Sequence, residues 1–129
     1  MKASELRIGN YVNYKYNELE FDKVEGIDSE YVYLETITYD DVCHDDVEPI
    51  PLTKEWLIKF GFELKHVPFD SYWENEEIEY KVRETNGKFA FCVEDYEDGK
   101  TIAFLMHTDK VHTFQNNAFA LNGKELKQI

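Results

Sequence analysis

The segment 49–62, PIPLTKEWLIKFGF, constrains the fold most, because residue chemistry defines its start, its body and its end. Thr53 is suited to cap a helix by accepting a backbone N–H with its hydroxyl, and Glu55 places a negative charge in the first turn. Gly61 can adopt the left-handed conformation that ends a helix. The segment therefore predicts a helix of two turns. A helix this short is unstable alone in water, so we expect it to bury three side chains against a sheet: Trp56, Leu57 and Phe60.

The residues before this helix predict a small β subdomain. Alternating apolar residues and turn signals indicate short strands over about 11–16, 21–27, 31–37 and 42–50. Four or five strands within fifty residues are what a small SH3-like barrel or curled sheet requires. We therefore expect an SH3-like sheet over residues 1–50.

The residues after the helix predict an antiparallel meander with one apolar face. Apolar residues alternate over 78–82 and again over 89–93, and Asn86-Gly87 between them is the dipeptide of a tight type I′ hairpin. A further turn around Asp98-Gly99 leads into the third strand, over 102–106. The segment 69–77, FDSYWENEE, predicts a polar loop. Trp73 in that loop either marks a contact surface or folds back over the core.

A second helix is predicted from about 109 to 121, with Thr108 or Asp109 as its cap and Gly123 as its stop. It carries one apolar stripe that can lie on the meander: Val111, Phe114, Ala118 and Leu121. The expected fold class is therefore α+β, with a β subdomain over 1–50 and a helix, meander and helix over 51–129, together forming one compact unit.

Charge and cysteine content restrict the function classes. The formal charge is −13, from 27 acidic and 14 basic residues, which disfavours direct binding to nucleic acid or to an anionic membrane. No apolar run approaches the roughly 18 residues of a membrane span. Cys43 and Cys92 are far apart, and without a signal peptide they indicate reduced, buried thiols of a cytoplasmic protein.

The densest acidic run of the first half, YDDVCHDDVE over 39–48, contains four aspartates: Asp40, Asp41, Asp45 and Asp46. Oxygen-rich clusters can hold hard cations, but this spacing matches no EF-hand loop, and adjacent Cys43 and His44 cannot readily supply two convergent zinc ligands. We expect no metal here. The run predicts an acidic surface on a solvated edge strand kept unpaired by its charges.

Sequence motifs for chemistry are missing. The sequence contains no Gly-x-Ser-x-Gly elbow, no cysteine-nucleophile signature and no phosphate-binding glycine loop, so we assign no catalytic residue and expect no cofactor. One cluster merits attention: His112, Gln115 and Asn116 fall on one side of the second helix, with Phe119 on the same flank. These groups either bind a polar ligand or transfer a proton, or else Gln115 and Asn116 satisfy backbone groups while His112 is a partly buried hydrogen-bonder.

Three segments, ELRIGNYV (5–12), PIPLTKEWLIKFGF (49–62) and VHTFQNNAFALNGKEL (111–126), together resemble an uncharacterised family of small proteins from Bacteroidetes-type bacteria, their phages and mobile elements. The closing segment of that family commonly reads VHxLQNLYFALTGEEL, and Asn117 stands here where the family has Leu. The resemblance implies an accessory protein of a phage or mobile element and transfers no catalytic residue. It places any site at the matching positions, which are His112, Gln115, Asn116, Phe119 and Leu121.

Three functional hypotheses follow. The first is a non-enzymatic interaction module that binds a protein partner. The second is an acidic mimic of nucleic acid that inhibits a host protein, which requires a continuous band of carboxylates: Asp40, Asp41, Asp45, Asp46, Glu74, Glu76, Glu77 and Glu79. The third is a small-ligand site around His112, with Trp73 as a further candidate contact residue.

Overall fold

The computed structural model describes residues 1–17, 20–38, 41–68, 70–94, 97 and 100–129. The chain divides into two compact units, one formed by 1–51 with 110–116 and the other by 52–109 with 117–129. The described residues contain two five-stranded antiparallel sheets and two α-helices, which confirms the α+β prediction. In this part of the chain, neither helix is long and apolar enough to cross a membrane.

The first unit is built on a sheet of short strands. These are β1 (Tyr11–Tyr14), β2 (Asp22–Ile27), β3 (Tyr31–Leu34), β4 (Val42–Cys43) and β5 (Val47–Glu48), in the order β4-β3-β2-β1-β5. Alternate side chains point to one face and form a buried apolar cluster. Its members are Leu6, Val12, Tyr14, Val24, Val32, Leu34, Val42 and Val47.

The acidic run of this unit differs from its prediction. A 3₁₀ turn, His44–Asp46, divides the expected single strand into β4 and β5, which lie at opposite edges of the sheet. Each pairs on one side only, β4 with β3 and β5 with β1, so the run does lie at sheet edges as predicted, but as two short strands instead of one. Cys43 is exposed rather than buried, because it follows the inward-facing Val42 and therefore points outward. The SH3-like character of this sheet stays a prediction.

The second unit begins with helix α1 (Lys54–Lys59), whose length matches the two turns predicted. Its end is a Schellman motif: the Phe62 N–H donates to the Leu57 carbonyl at 2.9 Å, and the Gly61 N–H donates to the Ile58 carbonyl at 2.9 Å. Gly61 has φ of +91°, the left-handed conformation that this stop requires. As expected, the helix buries Trp56, Leu57 and Phe60.

The cap of α1 was predicted only in part. Thr53 is the N-cap residue, but its side chain makes no capping hydrogen bond to the helix backbone. The Thr53 hydroxyl instead hydrogen-bonds to Glu55. The pKa of Glu55 is lowered, first by a hydrogen bond from its own backbone N–H and then by this hydroxyl. The Thr53 hydroxyl therefore supports the first-turn carboxylate, and this carboxylate in turn accepts the free N–H of Glu55.

The sheet of the second unit comprises β6 (Glu63–Val67), β7 (Asp70–Glu74), β8 (Lys81–Thr85), β9 (Lys88–Glu94) and β10 (Thr101–Thr108), in the order β10-β9-β8-β7-β6. Asn86 and Gly87 have φ of 52° and 79°, which confirms the type I′ hairpin between β8 and β9. The expected turn at Asp98-Gly99 lies outside the described residues.

Two predictions about this sheet are wrong. The expected loop over 69–77 contains strand β7, so the meander gains two strands and Trp73 pairs with Leu64 on one side and Val82 on the other. Ile78 and Tyr80 precede β8 instead of lying in it. Cross-strand pairing fixed these boundaries, since the two aromatic residues of β7 favour a strand whereas the acidic residues at its ends do not.

The sheet also buries more than one apolar face at its centre. In β9, Phe89 and Phe91 are buried on one side, and Ala90 and Cys92 on the other. The cross-strand partners of Cys92 and Ala90 in β8 are basic, Lys81 and Arg83. Both ion-pair with Glu94, at 3.2 Å and 3.7 Å, and both lie over the ring of Tyr72. Polar side chains with long apolar stems therefore cover the second face.

Helix α2 (Val111–Asn122) begins two residues later than predicted and is followed by Gly123, at φ of 68°. Its residues 111–116 belong to the first unit and 117–122 to the second. In the first unit, the Val111 N–H donates to the Ile50 carbonyl at 2.9 Å, and Pro51 forms a β-bridge with Lys110. These contacts hold the start of the helix beside the end of the 1–51 segment.

Candidate functional site

Gln115 is the centre of the cluster predicted from the sequence. It is completely buried, with 0% of its surface exposed. Its side-chain oxygen accepts the Tyr11 N–H at 2.8 Å, and its side-chain nitrogen donates to the Gly9 carbonyl at 3.0 Å. A buried backbone group without a partner costs about 1–3 kcal/mol, so this one amide satisfies two groups that would otherwise be costly. Gln115 thus holds the start of β1 against α2.

Asn116 continues this network. Its oxygen accepts from the side-chain nitrogen of Asn10 at 2.8 Å, and its own nitrogen donates to the Glu5 carbonyl at 3.0 Å. Asn10 is fully buried and also accepts the Arg7 N–H at 2.7 Å. Sequence reasoning missed Asn10. A buried asparagine that pairs with a residue more than one hundred positions away leaves no local signal.

His112 lies in the first turn of α2 with 3% of its surface exposed. Burial lowers the pKa of its imidazole; the Glu5 carboxylate acts in the opposite direction, and Lys110 and the N-terminal ammonium act in the same direction. Nδ1 has no hydrogen-bond partner among the described residues, whereas Nε2 lies 3.4 Å from the Thr113 hydroxyl. The environment therefore favours a neutral imidazole.

The other two binding candidates lie elsewhere in the second unit. Trp73 lies in β7 and is 5% exposed, so its side chain is buried, which agrees with the alternative that it folds back over the core. Phe119 lies on α2 and is 40% exposed. His112, Gln115 and Asn116 are together in the first unit, whereas Trp73 belongs to the second unit.

The acidic positions fall into two groups, one in each unit. Asp41, Asp45 and Asp46 flank or form the 3₁₀ turn of the first unit, whereas Asp40 lies outside the described residues. The glutamates Glu74, Glu76, Glu77 and Glu79 belong to the end of β7 and the chain that follows it. The continuous band of carboxylates that the nucleic-acid-mimic hypothesis requires stays a prediction.

Sequence reasoning missed a groove in the second unit, here called the acidic groove. Its volume is about 580 Å³, it opens to solvent, and its lining comprises Phe60, Gly61, Glu63, residues 75–77 and residues 125–129. Four carboxylates and one ammonium group, from Lys127, contribute to this lining. The sequence signal was weak because these residues come from three separate segments.

Hydrogen bonds from the Asn75 side chain and from the backbone fix the walls of the acidic groove. The side-chain nitrogen of Asn75 donates to the Phe60 carbonyl at 2.9 Å, and its oxygen accepts the Glu77 N–H at 3.0 Å. On the other side, the Ile129 N–H donates to the Lys59 carbonyl at 2.8 Å, and Leu126 is buried. The segment 125–129 and the turn after β7 are therefore both anchored to the end of α1.

Within the described residues, no three His, Cys, Asp or Glu side chains are arranged to hold a metal ion. Comparison of the chain with protein-family models, with curated proteins and with solved structures gave no match. The functional conclusion therefore depends on the geometry and charge described above.

Proposed function

We propose that this protein is a non-enzymatic interaction module that binds a protein partner with a basic surface. The observation that carries the proposal is the acidic groove, in which four carboxylates and one lysine surround an open depression in a chain of net charge −13. Complementary charge steers association and restricts the choice of partner. The groove supplies shape in addition to charge.

The use of the amides on α2 supports a non-catalytic role. Gln115 and Asn116 direct their side-chain oxygens and nitrogens at Tyr11, Gly9, Asn10 and Glu5, so these atoms are engaged in holding the first unit together. A catalytic amide has to present a donor or acceptor to substrate. The geometry of these two residues favours the structural alternative.

The proposed context is an accessory function for a phage or mobile element in the bacterial cytoplasm. It is supported by the resemblance of the three segments described above and by Cys43 and Cys92, both of which are free thiols. Free cysteines are typical of proteins in reducing compartments.

Affinity capture from a bacterial extract tests the proposal. Immobilised protein is incubated with extract at low and moderate salt, and retained proteins are identified, purified and titrated against the free chain. We expect a basic partner whose affinity falls as salt rises, since screening weakens charge complementarity between exposed groups. Failure to retain any partner at either salt concentration would contradict the proposal.

A small-ligand site at His112 is the second candidate, favoured by its buried Nδ1, which has no hydrogen-bond partner among the described residues. On this alternative, substitution of His112 by Ala abolishes binding of a metabolite, whereas on the interaction-module proposal it leaves binding of the partner unchanged. In both cases it lowers stability, because it empties a buried position.

A further inference from the structure

We propose that the acidic groove is the docking site for an extended, lysine- or arginine-bearing peptide segment of the partner. This inference rests on the proposed function and assigns it a location and a recognition chemistry. A lysine or arginine side chain combines an apolar stem with a cationic end. The groove offers matching surfaces for both parts.

The apolar part of the groove comes from Phe60, Leu126 and Ile129. Phe60 and Leu126 are almost completely buried, so most of the apolar surface that a ligand can contact belongs to Ile129, which is 90% exposed. Gly61 lies between these walls: a Cβ at this position would lie 2.9 Å from the Ile129 side chain and 3.4 Å from the Asn75 amide. The small residue keeps the end of α1 open beside the 125–129 segment.

The charged part comes from Glu63, Glu76, Glu77 and Glu125. Glu63 is already paired with Lys65 at 3.1 Å, so it contributes less to a new contact. Glu76 and Glu77 are exposed and have no ion-pair partner among the described residues. They are therefore the carboxylates that we expect to meet the cationic ends of the docked segment.

An extended segment fits better than a single compact cation. The depression has a volume of about 580 Å³, opens to solvent, and combines apolar with acidic lining. A peptide with basic and apolar side chains can place each type on a matching part of the lining, and several residues contribute at once. A polyamine would satisfy the carboxylates and leave the apolar walls without a partner.

The test uses a fluorescein-labelled peptide, GKLGKLGK, titrated into the full chain and followed by fluorescence anisotropy, with ¹⁵N-labelled protein for residue-level mapping. We expect binding that weakens with salt and amide shifts centred on Gly61, Asn75 and Leu126. The peptide GELGELGE should not bind. GKGGKGGK should bind more weakly, because it lacks the apolar side chains.

The decisive variant is the double substitution Glu76→Gln with Glu77→Gln. Its matched control is Glu25→Gln with Glu84→Gln, which also removes two negative charges, at exposed positions outside the groove. Loss of two exposed ion pairs should weaken peptide binding by about tenfold. The control should change it by less than about twofold at moderate salt, where distant charges are screened.

Three results would overturn the inference: equal weakening by both double variants, amide shifts outside the groove, or no binding of GKLGKLGK. Displacement of the peptide by spermidine at similar affinity and with the same shifts would assign the groove to polyamines instead. A captured partner whose affinity is unaffected by Glu76→Gln with Glu77→Gln would refute the groove and leave the interaction-module proposal standing. Absence of any captured partner would refute that proposal itself.

Discussion

Replacement of Gln115 by Glu tests the buried amide network directly. The substitution keeps the shape of the side chain and changes the nitrogen that donates to the Gly9 carbonyl at 3.0 Å. A protonated glutamate can still donate this bond and accept the Tyr11 N–H, whereas a carboxylate cannot donate. Because the site is fully buried, the folded protein should retain the proton, and the pKa of the new carboxyl group should rise above its usual value of about 4.3.

The size of the stability loss in Gln115→Glu follows from proton linkage. A group with a raised folded-state pKa contributes stability that is complete below its unfolded pKa and is lost as pH rises toward the folded pKa, so the variant should approach wild-type stability near pH 4. Above that pH its stability should fall relative to wild type by about 1.4 kcal/mol per pH unit. If the carboxyl group stays protonated to neutral pH, the loss at pH 7 reaches about 3.7 kcal/mol.

Urea unfolding followed by far-UV circular dichroism, at intervals from pH 4 to pH 8, measures this difference. Asn117→Asp is the matched control, since it makes the same chemical change on the same helix at a solvent-exposed hydrogen bond to the Met106 carbonyl. We expect the control to change stability by less than about 1 kcal/mol at every pH, as is typical of surface positions. A loss for Gln115→Glu that is small and independent of pH would refute the reasoning.

Three further changes have defined outcomes. Burial lowers the pKa of His112, so its contribution to stability is complete above the unfolded pKa of about 6.5 and is lost as pH falls through that value toward the folded pKa. His112→Gln should remove this pH dependence of the unfolding free energy in urea titrations from pH 5 to pH 8. A variant with the same pH profile as wild type would contradict the prediction. Each of two substitutions, Gly61→Ala and Gly123→Ala, should lower the unfolding free energy by about 1–2 kcal/mol, because both positions have positive φ angles. Gly61→Ala also adds a contact with Ile129, but this contact involves only the end of an exposed side chain. A difference between the two variants above about 1 kcal/mol in unfolding free energy would show that the contact is rigid. Thr53→Ala should cost less than the roughly 1 kcal/mol of an ordinary cap in thermal unfolding, since the Thr53 side chain makes no capping bond to the backbone; a full cap loss would show that the hydroxyl bonds the helix in solution.

Features whose causes lie within a few residues were predictable from the sequence. The Schellman stop at Gly61 and the type I′ turn at Asn86-Gly87 each depend on a positive φ that few residues tolerate, and both are present. The buried face of α1 follows in the same way from helical spacing. Local stereochemistry therefore determines these elements.

Features that depend on distant pairing were not predictable. Strand β7 consists largely of polar and charged residues, and only its pairing with β6 and β8 reveals it. The cluster around Gln115 was identified from helical spacing, but its role depends on Gly9 and Tyr11, which are more than one hundred positions away. The acidic groove likewise combines three separated segments. Sequence spacing located the polar residues without indicating what they contact.

The most direct test of the account is a titration of ¹⁵N-labelled protein with the purified basic partner obtained by affinity capture. The account predicts amide shifts centred on the acidic groove, at Gly61, Asn75 and Leu126, with the resonances of His112 and Gln115 unchanged. Shifts centred on His112 and Gln115 instead, with the groove unaffected, would contradict it.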